Sequence, residues 1–250
     1  MHRIFVPREA IDGDRVVIVG AEAHHIRTVL RNEISEEFTA TDGVGRDYLL
    51  KITRFSPEAV VCKVMEERAP ETPETLNQVV LMQCCLSSGK MDQVIDRATQ
   101  LGVSRFIPIS SDRSKFRGDE DRSSKKTERW SRIAGAAALQ SGRAFFPTVD
   151  SVRPLSRALK AASEADVKLL LSPDPDATPA HELLPKALVE IDETACVYLL
   201  IGPESGFSEA ERRLAVERGF LPMRMGHRTI RAETAPIVAL ALVLHHLGEV

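Results

Sequence analysis

Short apolar runs alternating with polar positions fill the first quarter of the chain. Arg15-Val16-Val17-Ile18-Val19, Glu37-Phe38-Thr39-Ala40, Tyr48-Leu49-Leu50-Lys51-Ile52 and Ala59-Val60-Val61-Cys62-Lys63-Val64 read as strands, separated by turn signals such as Asp12-Gly13-Asp14 and Asp42-Gly43. One helical stretch, Ala21 to Leu30, sets Ile26, Val29 and Leu30 on one side. The pattern predicts a small β-barrel, which needs closure or a partner to hide its edges. Glu66 to Thr75 is charged, holds two prolines and has no apolar period, so it reads as a linker.

After the linker the period changes. Gln78 to Cys84 is strand-like, and Lys90 to Leu101 carries Met91, Val94, Ile95, Ala98 and Leu101 at helical spacing before Gly102. Phe106 to Ile109 predicts a second strand and Ser123 to Ser141 a long helix. Val167–Leu171, Cys196–Ile201 and Met223–Met225 predict further strands, with helices over Ser208–Glu217 and Thr234–Leu247. Strands alternating with helices imply a mostly parallel sheet covered on both faces, an α/β domain. The expected division is residues 1–70 for the barrel and 76–250 for the α/β domain.

Composition adds bounds. A chain of 250 residues, 43% apolar and 28% charged, suits an ordinary soluble protein of two domains. The apolar stretch from Ala235 to Leu244 contains Pro236 and is too short to span a bilayer, so no membrane partner is expected. The first seven residues lack a signal-peptide core, and Cys62, Cys84, Cys85 and Cys196 form no C-x-x-C pair. A reduced, cytoplasmic setting is expected. The net charge is only −3, yet ten basic residues face five acids between Arg105 and Arg143. A local basic stretch in an acidic chain suits a phosphate-binding face.

Two junctions carry candidate chemistry. In Leu199-Leu200-Ile201-Gly202-Pro203-Glu204-Ser205-Gly206-Phe207-Ser208-Glu209-Ala210-Glu211 a strand ends in a Gly-Pro turn, and Ser208 with Glu211 forms a capping-box signature. In Met225-Gly226-His227-Arg228-Thr229-Ile230-Arg231-Ala232-Glu233-Thr234-Ala235-Pro236 two arginines and a glutamate crowd the entry to an apolar helix. Ligands of open α/β sheets bind beyond the carboxyl ends of strands, where both loops would lie. A G-x-G-x-x-G fingerprint, a Walker loop and a G-x-S-x-G elbow are all missing, and no histidines have metal-ligand spacing.

Gly202-Pro203-Glu204 with Gly206-Phe207-Ser208, followed by Gly226 to Ala235, resembles the signature pair of the RsmE family. These are the 16S ribosomal RNA uridine-N3 methyltransferases of the knotted SPOUT superfamily. Lys90 to Val103, Asp112-Arg113-Ser114, Gln140-Ser141-Gly142-Arg143 and His25 to Arg31 are similar to the same family in the same order. Three positions depart from it: Ser205 stands at a common glycine, Thr229 at an isoleucine and Met225 at a leucine. A positive φ at position 205 would strain serine.

The resemblance implies an N-terminal PUA-like β-barrel and a C-terminal α/β-knot, a deep trefoil, in a homodimer that needs no metal. It implies S-adenosylmethionine as cofactor, held around Leu171 and Ser172, around Leu200, Ile201, Gly202 and Glu204, and around Met225, Gly226, Ile230 and Ala232. The substrate implied is a uridine of 16S ribosomal RNA in the small subunit. Arg231 is the first candidate to stabilise the uracil anion, Glu233 to orient it or accept the proton, and Arg228 to make a second contact. Expected RNA contacts are Arg27 and Arg31 from the barrel, then Arg113, Lys115 and Arg117. Lys125, Lys126, Arg129 and Arg143 continue that basic stretch. Trp130 is expected in the core. Alternatives are another RNA target, such as a transfer-RNA ribose, and a non-catalytic ribosome-assembly factor.

Overall fold

The computed structural model describes residues 3–30, 33–70, 74, 76–87, 89–114, 120–189 and 194–250. The chain divides into two compact units: residues 1–74 with Ala138–Phe146, and residues 75–137 with Pro147–Val250.

The first unit is a six-stranded sheet of β1 (Arg3–Phe5), β2 (Ile11–Asp12), β3 (Arg15–Val19), β4 (Glu37–Thr41), β5 (Asp47–Phe55) and β6 (Ala59–Arg68). Its order is β1-β4-β5-β6-β3-β2, antiparallel except where β1 meets β4. The sequence predicted a small β-barrel; among the described residues its strands form one curled sheet with β1 and β2 at the ends of the ladder. The period of two puts Val16, Ile18, Leu50, Ile52, Val60 and Cys62 into one core. Ile26 joins them from above, but the predicted helix is shorter. α1 (Gly20–His24) passes into a π turn over His25–Val29, closed by Leu30 N–H to His25 O at 3.0 Å. The wider turn carries Val29 off the face of Ile26, leaving it 62% exposed. β6 also runs on through Arg68, because Glu66 to Arg68 pair with Asp47 to Leu49; the linker is three residues shorter than its composition suggested.

Ala138–Phe146 returns to this first unit. Phe146 N–H donates to Gly43 O at 2.9 Å, Gly45 N–H donates to Ala144 O at 3.1 Å, and the Phe5 and Phe146 rings lie 5.1 Å apart. Arg3 donates to Gly142 O and pairs with Asp47, while buried Arg143 pairs with Glu74.

In the second unit β7 (Gln78–Cys84), α2 (Lys90–Leu101), β8 (Arg105–Ser110) and α3 (Glu120–Gln140) come first. Then follow β9 (Thr148–Val149), β10 (Arg153–Pro154), α4 (Leu155–Ala161), β11 (Val167–Leu171), β12 (Thr178–Pro179) and α5 (Ala180–Ala187). β13 (Cys196–Ile201), α6 (Glu209–Glu217), β14 (Leu221–Arg224) and α7 (Ala235–His246) complete it. The sheet order is β10-β8-β7-β13-β11-β14-β12, with β9 beside β8. Every pairing is parallel. The short β9, β10 and β12 and the helices α4 and α5 escaped the sequence reading; two-residue strands have no period, and α5 contains Pro185.

Alternate residues of each strand serve different layers. Val79, Leu81, Phe106, Leu169, Val197 and Leu199 pack with α2, Trp130 of α3, α5 and α7. Val80, Met82, Ile107, Leu170, Tyr198 and Leu200 pack with α4, Ala215 of α6 and Phe207. Both faces are dry, which explains the continuous apolar runs. Cys62, Cys84 and Cys85 are buried free thiols whose ionisation burial pushes up; Cys196 is half-buried. Among the described residues no helix is long and apolar enough to cross a membrane.

Phe106 is fully buried in the same cluster as Trp130. Phe106→Ala should destabilise the second unit by about 3–5 kcal/mol, read as a lower urea midpoint of Trp130 fluorescence. A loss under about 1 kcal/mol would contradict this packing.

Candidate active site

β11, β13 and β14 end side by side. β13 lies between β7 and β11, and β14 pairs on the far side of β11, so three carboxyl-terminal loops open on one edge. They enclose a cavity of about 340 Å³, a size suited to a small-molecule ligand. Leu171 and Ser172 line it from β11. Ile201, Gly202 and Glu204 line it from β13, and Met225, Gly226, Ile230 and Ala232 from the loop after β14. Leu200 does not. The two-residue period turns its side chain into the layer under α4 and α6, where it is fully buried.

Backbone form accounts for the glycines. Gly226 has φ +92° with open space where a side chain would begin, so the chain bares its backbone toward the cavity. Gly202 has no such freedom to spare: an added Cβ would press on the Phe207 ring at 3.2 Å. Ser205 is unstrained, since the one non-glycine residue described with positive φ is Ser35. Its hydroxyl donates to Arg113 O at 3.2 Å, and the Arg113 guanidinium donates back to Ser205 O and Phe207 O at 3.3 and 3.4 Å. Ser208 and Glu211 form the predicted capping box, and they also dock the neighbouring loop. Asp112 N–H donates to Glu211 at 2.8 Å, and the Ser208 hydroxyl donates to Asp112 at 3.0 Å.

Four arginines and one acid line the cavity. Arg113 is held as above; Arg212 pairs with Asp174 and Glu209; Arg224 donates to Gly226 O at 3.4 Å. Arg228 is exposed and makes no described side-chain bond. Arg231 is exposed and outside the lining, its carbonyl starting α7 by accepting from Thr234 and Ala235 N–H. Glu233 also lies off the lining and faces the Lys90 ammonium at 3.2 Å. That ammonium is 3.6 Å from Glu204, which accepts from Ser87 N–H and hydroxyl at 3.4 and 3.2 Å.

Partial burial pushes the Glu204 carboxyl up, but its own N–H, the two Ser87 donors and Lys90 bring it below the ordinary value. The Glu233 carboxyl is lowered first by its own backbone N–H and then, against some desolvation, by Lys90 and Arg231. Periodicity marks Lys90 only as the start of a helix. The available signal was a cation at the first helical position, where the helix dipole disfavours it.

The basic residues divide. Arg27 is spent on the turn after β5, donating to the carbonyls of Ser56, Pro57 and Ala59, and Arg143 is buried on Glu74. Neither guanidinium presents itself to a phosphate as the sequence reading expected. Arg129 pairs with Asp92 at 2.7 Å while remaining 60% exposed, Lys126 lies 5.9 Å over buried Trp130, and Lys125 is exposed. Arg31, Lys115 and Arg117 lie outside the described residues. Among the described residues no three His, Cys, Asp or Glu side chains gather as a metal site.

Residues 72–244 match the family described as RNA methyltransferase domain, and residues 18–65 match the RNA methyltransferase PUA domain. The chain belongs to the RNA methyltransferase family. It is similar to the ribosomal RNA small subunit methyltransferase E of Bacillus subtilis, 27% identical over 90% of this chain and 88% of that one. The Aquifex aeolicus protein of the same name is 29% identical over 93% and 95%. Among solved structures, a Legionella pneumophila methyltransferase with bound SAM superposes with a TM-score of 0.87 at 28% identity, covering 98% of this chain and 97% of that one. The Neisseria gonorrhoeae ribosomal RNA small subunit methyltransferase E, bound to S-adenosyl methionine, gives 0.84 at 27% over the same shares. For this RNA methyltransferase the family match covers the sheet whose strand ends form the cavity.

Both lowered carboxyls make the Lys90 contacts complete at neutral pH. The contribution declines once pH falls below the ordinary glutamate value of about 4.3 and is gone below the lower folded values. Carboxyl NMR titrations of Glu204 and Glu233 should run below that ordinary value, and Lys90→Met should raise both. Ordinary titration in the unaltered protein would contradict the contacts.

Proposed function

We propose that this RNA methyltransferase uses S-adenosylmethionine to methylate N3 of a uridine in 16S ribosomal RNA of the small subunit. The observation that carries the reading is the meeting of three strand-end loops around a cavity whose one acidic lining residue, Glu204, is held ionised. The residues fit that donor. The bare backbone at Gly226 admits a close ligand, apolar Leu171, Ile201 and Ile230 suit an adenosine, and Glu204 complements a cation. The bound donor supplies an electrophilic methyl on sulfonium sulfur; the chain must do everything else.

N3 of uracil becomes nucleophilic only on losing its proton, and the resulting charge spreads onto the ring oxygens. Arg228, without a described side-chain bond at the cavity rim, and Arg231, exposed three residues further on, are the groups to face those oxygens. A carboxylate held below its ordinary value is a weak proton acceptor, so Glu233 serves by fixing its loop, and the proton leaves to solvent. Holding donor and base in line contributes on the order of 7 kcal/mol or more. The target base must leave any stack to enter.

The remaining expectations follow from the same reading. Residues 1–70 are a PUA-like RNA-binding domain, and residues 76–250 a SPOUT domain whose chain after β13 threads into a trefoil knot. The strand order that sends β14 past β11 supports this. α7 is apolar on all sides, with Ile237, Val238 and Leu242 only half-buried, which supports a homodimer. Lys125 is exposed, Lys126 lies over Trp130 and Arg129 stays 60% exposed while paired with Asp92; on this reading these three contact phosphate. The setting is the cytoplasm.

Mass spectrometry of small-subunit RNA incubated with the protein and donor should show one N3-methyluridine; methylation elsewhere, or none, defeats the proposal. Arg231→Ala should keep donor affinity by calorimetry while turnover falls about 10²–10³-fold. Near-normal turnover would remove Arg231 from the chemistry. Reversing the charge of Lys125 and Lys126 should reduce the slope of log affinity against log salt by about 1.4 to 1.8, and an unchanged slope would move the RNA elsewhere.

A further inference from the structure

We infer that Lys90 is a positioning residue that clips the loops after β13 and β14 together and so sets the form of the donor cavity without lining it. The inference rests on the proposed donor site for its functional consequence, but not for the coupling itself. Lys90 occupies the first position of α2 behind Gly89, which has φ +83° and offers no side-chain cap. A cation placed there works against the helix dipole, so local helix formation gives no reason for it. Its reason lies across the chain. Nζ sits 3.2 Å from Glu233 Oε2 and 3.6 Å from Glu204 Oε1, two carboxylates that belong to different loops.

The contacts differ in consequence. Glu233 is the more enclosed, with its side chain 13% exposed and Oε2 shut off from solvent. The Lys90 ammonium is the cation that offsets that burial. Glu204 is also fastened to Ser87, just beyond β7, and it lines the cavity. One ammonium thus joins the ends of β7, β13 and β14. Between its two carboxylates in sequence lie Met225, Gly226, Arg228, Ile230 and Ala232, all on the cavity wall, and Arg231. Without Lys90 two acids would share one place, and like charge would push the loops apart.

The test uses the full-length protein with Lys90→Met, Lys90→Arg and Glu233→Gln. In ligand-free protein, hydrogen exchange of residues 202–207 and 228–234 should rise together by about tenfold in Lys90→Met and stay near normal in Lys90→Arg. S-adenosylhomocysteine, which has a neutral sulfur, and S-adenosylmethionine should lose affinity equally, by about 10- to 100-fold. Glu233→Gln should weaken both ligands alone but cause no further loss in Lys90→Met, where it removes one of the two like charges and should recover part of the affinity. Loosening of one loop only, no loosening, or additive losses overturn the clip. So does tighter binding of the cationic donor relative to its neutral product, because Lys90 would then act by charge on Glu204 and not by position. Should Lys90→Met fail to fold, Glu233→Gln carries the exchange measurement alone, with both loops again expected to loosen. Coupled loops in a protein that binds neither ligand would sink the donor site and leave the clip standing.

Discussion

β13 is hydrogen-bonded in parallel to β7 on one side and β11 on the other, with both faces sealed by helices. A strand so placed has no room to slip: a shift of one residue would exchange Leu199 and Leu200 between two dry layers. That register fixes where Ile201 ends and the Gly202 turn begins. β14 is set against β11 with the same direction, and the second loop starts at the same sheet edge. The cavity is a consequence of these pairings, since neither loop has enough apolar residues to make an enclosure by itself.

Around that edge charge is arranged in closed sets. Arg113, Arg212 and Arg224 are each occupied by carbonyls or carboxylates of the loops they bind, and Glu211 serves both a helix cap and the Asp112 loop. Glu204 and Glu233 share one ammonium. A part-exposed pair such as Arg212–Asp174 contributes little individually, but together with the bonds to backbone groups such pairs hold irregular segments in one conformation. Arg228 lines the cavity, is exposed and stands outside these sets among the described residues.

The first unit follows another logic. Its strands bury one face, and the segment from Ala138 to Phe146 supplies aromatic and backbone partners to the Gly43–Gly45 turn. Arg27 and Arg143 are consumed in holding turns, so a count of basic residues overstates what this unit can offer to a phosphate. At the cavity of the second unit, the Ser205 hydroxyl is one end of a reciprocal tie to Arg113.

Much of the fold was legible in the residues alone. β7, α2, β11 and β13 have the limits that periodicity predicted, because buried parallel strands and amphipathic helices write their environment into consecutive positions. The capping box at Ser208 was equally local. Nine of the ten positions expected to hold the donor line one cavity, since strand ends followed by glycine turns are sequence features. What tertiary structure alone decided is partnership across distance. The side to which Leu200 points, the return of Ala138–Phe146 to the first unit, the spending of Arg27 and Arg143, and the bridging of Glu204 to Glu233 by Lys90 all depend on residues far apart in the chain. Local pattern records which surface a residue needs; only the packed fold determines which distant group supplies it.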